Sequence, residues 1–294
     1  ATETRRVNGQ EIFLRYWGSP DLPPLLMLHG FPEYGGAWSE LAERLCHRFH
    51  CIAPDQRGYG QSSAPEGIEP YAMAHLMADM AALIEDLSTE PVTVISHDWG
   101  ASVGYALAMF RPELVARLIV MNGVHPVPFQ RALAAGGPQT AASQYINHLR
   151  REGSSKHLTK DDFAGLLSLF AGKMDLSWLD DEKREAYRAE WSRPGRLRAM
   201  INWYRASPLQ VAQPGKPITG LPDFPVERLQ VRCPHLLIWG MDDNALLPEA
   251  TEGLEEFVPD LTRVEIAGAD HWLLHQKPDE VAQAVLDWCE RRDL

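Results

Sequence analysis

The chain has 294 residues, of which 45% are hydrophobic and 23% charged, and its mean hydropathy is -0.27. These values are typical of a globular protein and exclude a disordered, collagen-like or coiled-coil chain. The 28 basic and 40 acidic side chains give a net charge of -12, which argues against a nucleic acid partner because a negative surface repels phosphates. No apolar run approaches the ~20 residues that a membrane helix needs, so we expect no membrane partner.

The four cysteines, Cys46, Cys51, Cys233 and Cys289, form neither a CxxC pair nor a Cys/His spacing typical of zinc sites. We interpret them as buried, reduced thiols. The first six residues lead into no apolar stretch of the kind found in signal peptides, so we predict a cytoplasmic protein. We expect no metal ion and no cofactor, and the sequence leaves the oligomeric state open, with a homodimer among the alternatives.

The first 125 residues alternate short apolar runs with amphipathic stretches. Five runs are predicted as strands: Glu11–Trp17, Leu25–His29, His50–Ala53, Val92–His97 and Leu118–Asn122. Helical spacing of apolar residues is found at Tyr71–Leu87 and Ala101–Phe110. Because some of these runs are continuously apolar, as in strands buried on both faces, the alternation indicates βαβ units and a parallel sheet.

The pattern changes near Pro126, after which helix signals replace strand signals. Thr159–Asp162 resembles a capping box, and Ser192 before Pro194 indicates another helix start. Strand and helix patterns return at His235–Trp239, Arg263–Ile266 and Pro278–Arg291. We therefore predict an α/β fold whose core, residues 1–125 and 223–294, is a mostly parallel sheet flanked by helices, with an inserted helical lid at residues 126–222.

A candidate nucleophile lies between a predicted strand and a predicted helix, in the segment Ser96–Gly100. Open α/β sheets have their sites at such carboxyl ends of strands. The pattern is that of a nucleophile elbow, in which small flanking residues let the chain turn sharply enough to expose the middle side chain, here Asp98. Taken alone, Asp98 is equally well interpreted as the N-cap of the following helix.

Three further segments follow predicted strands. Asp242 and Asp243 come after one strand of the second half, and His271 comes after the last strand. This is the order of an α/β hydrolase, in which the nucleophile precedes the acid and the histidine. Near the amino terminus, Gly30 permits a turn after a strand, so the backbone N–H of Phe31 can point into a site. The combination predicts an active site more strongly than any one segment does.

The sequence resembles the α/β-hydrolase superfamily and, more narrowly, its soluble epoxide hydrolase branch, over essentially the whole chain. Three segments carry the resemblance. His29–Glu33 is similar to the family's HGFPE segment, Asp55–Gly60 to its DxRGYG turn, and Ser96–Gly100 to its GHDWG elbow, with serine in place of the usual first glycine. The resemblance implies an α/β-hydrolase fold with a helical lid.

The resemblance also implies roles for two tyrosines and for the acid. Tyr204, in the segment NWYR, matches a lid motif that carries one of the family's two tyrosines, and Tyr145 is the looser match for the other. The family's spacing from Gly240 favours Asp243 over Asp242 as the acid.

An aspartate nucleophile restricts the chemistry. Its attack on an ester would form an anhydride, whereas its attack on an sp³ carbon with a leaving group forms a stable alkyl ester of Asp98. Regeneration of Asp98 then needs a water activated by His271 as general base, with His271 held by Asp243. We expect the backbone N–H groups of Phe31 and Trp99 to stabilise the resulting oxyanion. The substrate therefore has an electrophilic carbon rather than an acyl group.

The leaving group divides the two main interpretations. An epoxide oxygen leaves as an alkoxide, which phenols such as Tyr145 and Tyr204 can protonate, whereas a halide needs no proton. Related haloalkane dehalogenases often have Asn where this chain has Phe31, and haloacetate dehalogenases, which this sequence also resembles, usually have Arg where it has Trp99. We predict an epoxide hydrolase that forms a vicinal diol. A dehalogenase is the alternative, followed by a ligand-binding protein that is not an enzyme.

Aromatic residues predict an apolar substrate pocket. They are Phe31, Trp99, Trp203, Phe170 and Trp272. His125, at the start of the predicted lid, is also assigned to this pocket. The expected partners are a small hydrophobic epoxide and water.

Overall fold

The computed structural model describes residues 1–292. Its eight strands are β1 (Thr2–Val7), β2 (Gln10–Trp17), β3 (Pro24–Leu28), β4 (His50–Pro54), β5 (Val92–His97), β6 (Val115–Met121), β7 (His235–Gly240) and β8 (Leu261–Ile266). They form one sheet in the order β1-β2-β4-β3-β5-β6-β7-β8. The β1–β2 and β2–β4 pairs are antiparallel, and every other neighbouring pair is parallel.

Helices cover both faces of the sheet. The α-helices of the described residues are α1 (Ser39–Leu45), α2 (Met73–Leu87), α3 (Trp99–Phe110), α4 (Pro126–Ala134), α5 (Pro138–Ala142), α6 (Gln144–Arg150), α7 (Ser154–Ala171), α8 (Asp181–Trp191), α9 (Arg196–Ala206), α10 (Leu273–Gln276) and α11 (Pro278–Arg291). Six of them, α4 to α9, lie between β6 and β7. No helix within residues 1–292 is both long enough and apolar enough to cross a bilayer.

The central strands alternate between two apolar layers, as the twofold side-chain period of a strand requires. Met27 and Ile95 face a layer that includes α1 and α11. Leu28 and Val94 face the opposite layer, which includes α2 and α3 and continues into the helices after β6. All six residues of β5 are buried, so the turn that follows it lies at the centre of the carboxyl edge of the sheet.

The last helix has the bounds that the sequence predicts. Proline at its first position needs no hydrogen-bonded N–H, and Val281, Val285 and Trp288 recur at helical spacing on its buried face. The first strand, β1, was not predicted. Five of its six residues are exposed or partly exposed, so it lacks the apolar run by which the other strands are recognised.

One predicted helix start is wrong, and the other lies at a break within a helix. Ser192 is the C-cap of α8, its hydroxyl donates to the carbonyl oxygen of Arg188, and α9 begins only at Arg196. At the Thr159–Asp162 segment the backbone leaves helical geometry over residues 160–163, so α7 consists of two helical stretches, and the second begins after this segment. The hydroxyl of Thr159 donates back to the carbonyl oxygen of Lys156, so it caps no following helix.

Candidate active site

Asp98 occupies the tight turn between β5 and α3. Its backbone has φ 52° and ψ -127°, a strained conformation of a kind that costs about 1–3 kcal/mol and clusters at functional sites. Close packing requires glycine two residues later, because a Cβ atom on Gly100 would lie 2.0 Å from the carbonyl oxygen of Leu28. Serine at position 96 fits, because Ser96 is buried and its hydroxyl donates to the carbonyl oxygen of Ile119 at 3.2 Å.

One imidazole joins two carboxylates in a chain of hydrogen bonds. Nε2 of His271 lies 2.9 Å from Oδ1 of Asp98, and its Nδ1 lies 2.7 Å from Oδ2 of Asp243. Oδ1 of Asp243 accepts the backbone N–H groups of Ala245 and Leu246 at 2.7 and 2.9 Å. The buried Asp243 carboxylate is thereby fixed and orients the imidazole. The adjacent residue 242, also an aspartate, is exposed.

Two backbone N–H groups hold the second oxygen of Asp98. Phe31 donates to Oδ2 at 3.0 Å, and Trp99 donates to the same atom at 2.6 Å. The two oxygens of this carboxylate are therefore inequivalent. Oδ2 is fixed between two donors, and Oδ1 faces His271.

A cavity of about 810 Å³ opens in front of Asp98. The side chains of Phe31, Tyr145, Tyr204 and His271 line it, and the ring centroids of the two tyrosines are 6.2 Å apart. Further apolar lining residues are Leu149, Leu158, Leu169, Phe170, Met174 and Trp272. A smaller cavity of about 40 Å³ also borders Asp98, and Trp99, Tyr145 and Tyr204 line it.

The charges of the site are coupled. Burial raises the pKa of Asp98, but the hydrogen bond and charge of His271 outweigh burial, and the net pKa is lowered. Burial lowers the pKa of His271, but Asp243 and Asp98 outweigh it, and the net pKa is raised well above its usual value. Burial, reinforced by nearby Asp98, raises the pKa values of Tyr145 and Tyr204, so both phenols are neutral at physiological pH.

A family model described as the alpha/beta hydrolase fold matches residues 23–278. The chain belongs to the α/β-hydrolase family. A curated relative, AB hydrolase superfamily protein YfhM of Bacillus subtilis (strain 168), is 32% identical over 287 residues, which are 97% of this chain and 96% of the relative. Epoxide hydrolase 2 of Caenorhabditis elegans is 32% identical over 273 residues, which are 90% of this chain and 73% of the relative.

Solved structures agree with this assignment. One, described as a novel epoxide hydrolase from metagenomes of hot environments, superimposes with a TM-score of 0.87 at 34% identity and covers 97% of both chains. The Bacillus megaterium epoxide hydrolase in complex with an inhibitor has a TM-score of 0.87 at 30% identity, covering 98% of this chain and all of the other. This α/β hydrolase therefore lies in the epoxide hydrolase-like branch, and it is a hydrolase, as predicted.

Two residues assigned to the substrate pocket do not line the cavity, and these assignments are wrong. His125 is buried: Nε2 bonds to the carbonyl oxygen of Leu229, and the ring stacks on Phe257 at 4.6 Å. Burial lowers the pKa of His125 to about 4, so it is a neutral packing residue at the start of α4. Trp203 is also buried, and its indole N–H donates to the carbonyl oxygen of Arg57 at 3.0 Å.

Asn122 was not predicted from the sequence as a site residue, and it holds the carboxylate of Asp243. Its side-chain amide donates to Oδ2 of Asp243 at 2.9 Å, and its side-chain oxygen accepts the N–H of Gly240 at 2.7 Å. Asn122 directly follows β6, at the same carboxyl edge as Asp98. That position was the available signal, because polar residues at the ends of central parallel strands tend to belong to the site.

Proposed function

We propose that this hydrolase opens an epoxide to a vicinal diol through a covalent alkyl ester of Asp98. The arrangement of the Asp98 carboxylate carries the proposal. Oδ2 is held by two N–H donors while Oδ1 is directed towards His271, in a cavity that two neutral phenols share. Named relatives that are epoxide hydrolases support the same substrate class.

The first step is attack by Oδ1 of Asp98 on an epoxide carbon. The carbon–oxygen bond of the ring breaks, and the oxygen takes a proton from Tyr145 or Tyr204. General acid catalysis of this kind contributes about 10²–10⁴-fold. The phenolate regains its proton from the imidazolium of His271, which becomes the neutral base that the second step needs. Esterification also removes the charge of Asp98, so the pKa of His271 falls at this point.

The second step regenerates the enzyme. Neutral His271, held by Asp243, takes a proton from a water that attacks the carboxyl carbon of Asp98. The negative charge develops on Oδ2, where the N–H groups of Phe31 and Trp99 already point, and each such donor contributes about 3–4 kcal/mol. Collapse releases the diol, and the net proton from ester hydrolysis remains on His271. The cycle closes with no cofactor.

The cavity favours a substrate larger than a simple alkyl epoxide. Its volume of about 810 Å³ lies in the range of sites that bury drug-sized ligands, and its wall is mainly apolar. We propose that residues 126–222 form a lid over it, because Tyr145, Leu158, Phe170 and Tyr204 of this segment line the cavity opposite Asp98. The substituent on the epoxide is therefore bulky and apolar.

The test is diol formation from an aryl epoxide by the purified protein, with haloalkane and fluoroacetate assayed in parallel for halide release. Asp98→Ala abolishes diol formation, whereas Asp242→Ala, which changes an exposed carboxylate beside the acid, retains it. Halide release without diol would make the enzyme a dehalogenase. Ligand binding without turnover of any substrate would leave a binding protein.

Isotopic oxygen tests the ester intermediate directly. With enzyme in excess in H₂¹⁸O, a single turnover gives unlabelled diol, because the oxygen added to the substrate comes from Asp98. The label then appears in the Asp98 carboxylate on mass spectrometry of the peptide. Label in the diol during the first turnover would mean that water attacks the epoxide directly.

A further inference from the structure

The chain on both sides of His271 is held by one stretch of the proposed lid, residues 170–178. Oδ2 of Asp270 accepts the backbone N–H of Asp175 at 3.0 Å, and the side-chain amide of Gln276 donates to the carbonyl oxygen of Asp175 at 2.9 Å. Both polar groups of the Asp175 backbone are therefore hydrogen-bonded to side chains close to His271. The two partners are the residue before His271 and the residue five positions after it.

Asp270 and Gln276 are also hydrogen-bonded to each other. The backbone N–H of Asp270 donates to the side-chain oxygen of Gln276 at 2.9 Å. Oδ1 of Asp270 accepts the N–H of Trp272 at 2.9 Å. These bonds close the loop that presents His271, so the lid contact and the loop geometry share the same two side chains. Asp270 is buried, and none of these hydrogen bonds involves Asp98.

Aromatic stacking extends the contact. Trp272 stacks on Phe170 with centroids 4.3 Å apart and planes within 8°, and its indole N–H donates to the carbonyl oxygen of Phe170 at 3.0 Å. His275 stacks on Trp178 at 3.9 Å. Phe170 and Trp272 also line the cavity, so this contact forms part of the cavity wall.

We infer that Asp270 and Gln276 are positioning residues that keep His271 aligned for water activation by joining its loop to residues 170–178. This inference rests on the proposed function. The alignment matters for one half of the reaction. Attack by Asp98 needs its own carboxylate and the phenols, whereas ester hydrolysis needs the imidazole within hydrogen-bond distance of a water, and a displacement of about 1 Å can cost ~10²-fold.

The experiment separates the two half-reactions in Asp270→Asn and Gln276→Ala. Rapid mixing with an aryl epoxide measures formation of the alkyl-enzyme and then its decay. In both variants we expect formation to stay within about twofold of wild type while decay slows at least roughly tenfold, so the alkyl-enzyme accumulates. Two variants are used because failure of one to fold leaves the other decisive.

Arg196→Gln is the matched control. Arg196 donates to the carbonyl oxygen of Gly60, so its substitution removes a hydrogen bond between the proposed lid and the core at another place. It is expected to leave the ratio of formation to decay unchanged. Equal slowing of both half-reactions in the Asp270 and Gln276 variants, or no slowing of either, would overturn the inference. So would a changed ratio in Arg196→Gln.

A second readout needs no substrate. The ¹⁵N signals of the His271 imidazole are expected to change in Asp270→Asn and Gln276→Ala and to match wild type in Arg196→Gln. Unchanged signals in both test variants would reject the positioning role. Absence of epoxide turnover by the wild-type enzyme would instead count against the proposed function, so the two failures are distinguishable.

Discussion

Two carboxylates stabilise the positive charge of His271, and the proposed first step removes the charge of only one of them. Asp98 lies 2.9 Å from Nε2, and Asp243 lies 2.7 Å from Nδ1. Formation of the ester neutralises Asp98 and leaves Asp243 in place. The same imidazole is therefore charged in the resting enzyme and becomes a base once the intermediate exists.

Asp98→Asn mimics the loss of that charge, and it is expected to lower the pKa of His271. Titration of the ¹⁵N-labelled imidazole by NMR measures this shift. Asp242→Asn serves as the control, because the exposed carboxylate makes no bond to His271 and its loss leaves the titration close to that of wild type. An unchanged His271 titration in Asp98→Asn would mean that Asp98 does not control the base.

Removal of the tyrosine hydroxyls tests the proton donors. Tyr204→Phe and Tyr145→Phe are each expected to slow alkyl-enzyme formation, and their combination, which removes both proton donors, to slow it by about 10²-fold or more. Ester decay should change little, because it uses His271. Tyr105→Phe is the control, since its buried hydroxyl bonds to His235 outside the cavity. Unchanged formation rates in Tyr204→Phe would remove this phenol from the mechanism.

At the scale of elements, local patterns predicted what depends on neighbours in sequence. The turn at Asp98 and the helix α11 are such cases. The small residues around Asp98 and the proline at the start of α11 are short sequence signals that need no distant residue. His125 and Trp203 could not be assigned in this way. Whether these rings face a cavity depends on Phe257 and Arg57, which lie more than a hundred residues away in the chain.

The start of α9 depends on Gly195, which has φ 73°. Gly195→Ala places a side chain in the left-handed region, where the strain is about 1 kcal/mol, and no steric clash adds to it because the space around the Cβ position is open to 4.0 Å. We expect faster hydrogen exchange in α9, which carries Tyr204. Gly137→Ala is the control, because Gly137 has φ -96° and equally open space. Equal exchange in the two variants would contradict this account.

At the scale of the whole molecule, one buried carboxylate connects the core with the proposed lid. Oε2 of Glu33 accepts the hydroxyl of Tyr187 on α8 at 2.5 Å and lies 2.6 Å from Nε2 of His275 on α10. Oε1 lies 3.6 Å from Nδ1 of His97, whose Nε2 bonds to the carbonyl oxygen of His271 at 2.7 Å. Glu33 therefore joins the loop after β3, the end of β5 and two helices.

The charge of Glu33 makes the stability of the enzyme depend on pH. Burial raises the pKa of Glu33, but the charge and hydrogen bond of His275, with the nearby His97, outweigh it, and the net pKa lies below the ordinary value of 4.5. A carboxyl group with a lowered folded-state pKa stabilises fully above its unfolded-state pKa, and this stabilisation is lost as the pH falls towards the folded-state value. Between the two values, the free energy of unfolding falls by about 1.4 kcal/mol per pH unit for this group.

Glu33→Gln is expected to be less stable than wild type at neutral pH, by about 3 kcal/mol, because His275 loses its buried partner. Below pH 4.5 the two proteins should converge, since the amide cannot take up the proton that destabilises wild type. Urea denaturation at a series of pH values measures both effects. Glu185→Gln changes the same charge on an exposed face of α8, so its stability should run parallel to that of wild type. Parallel curves for Glu33→Gln as well would show that the charge of this carboxylate does not make the stability of the protein depend on pH.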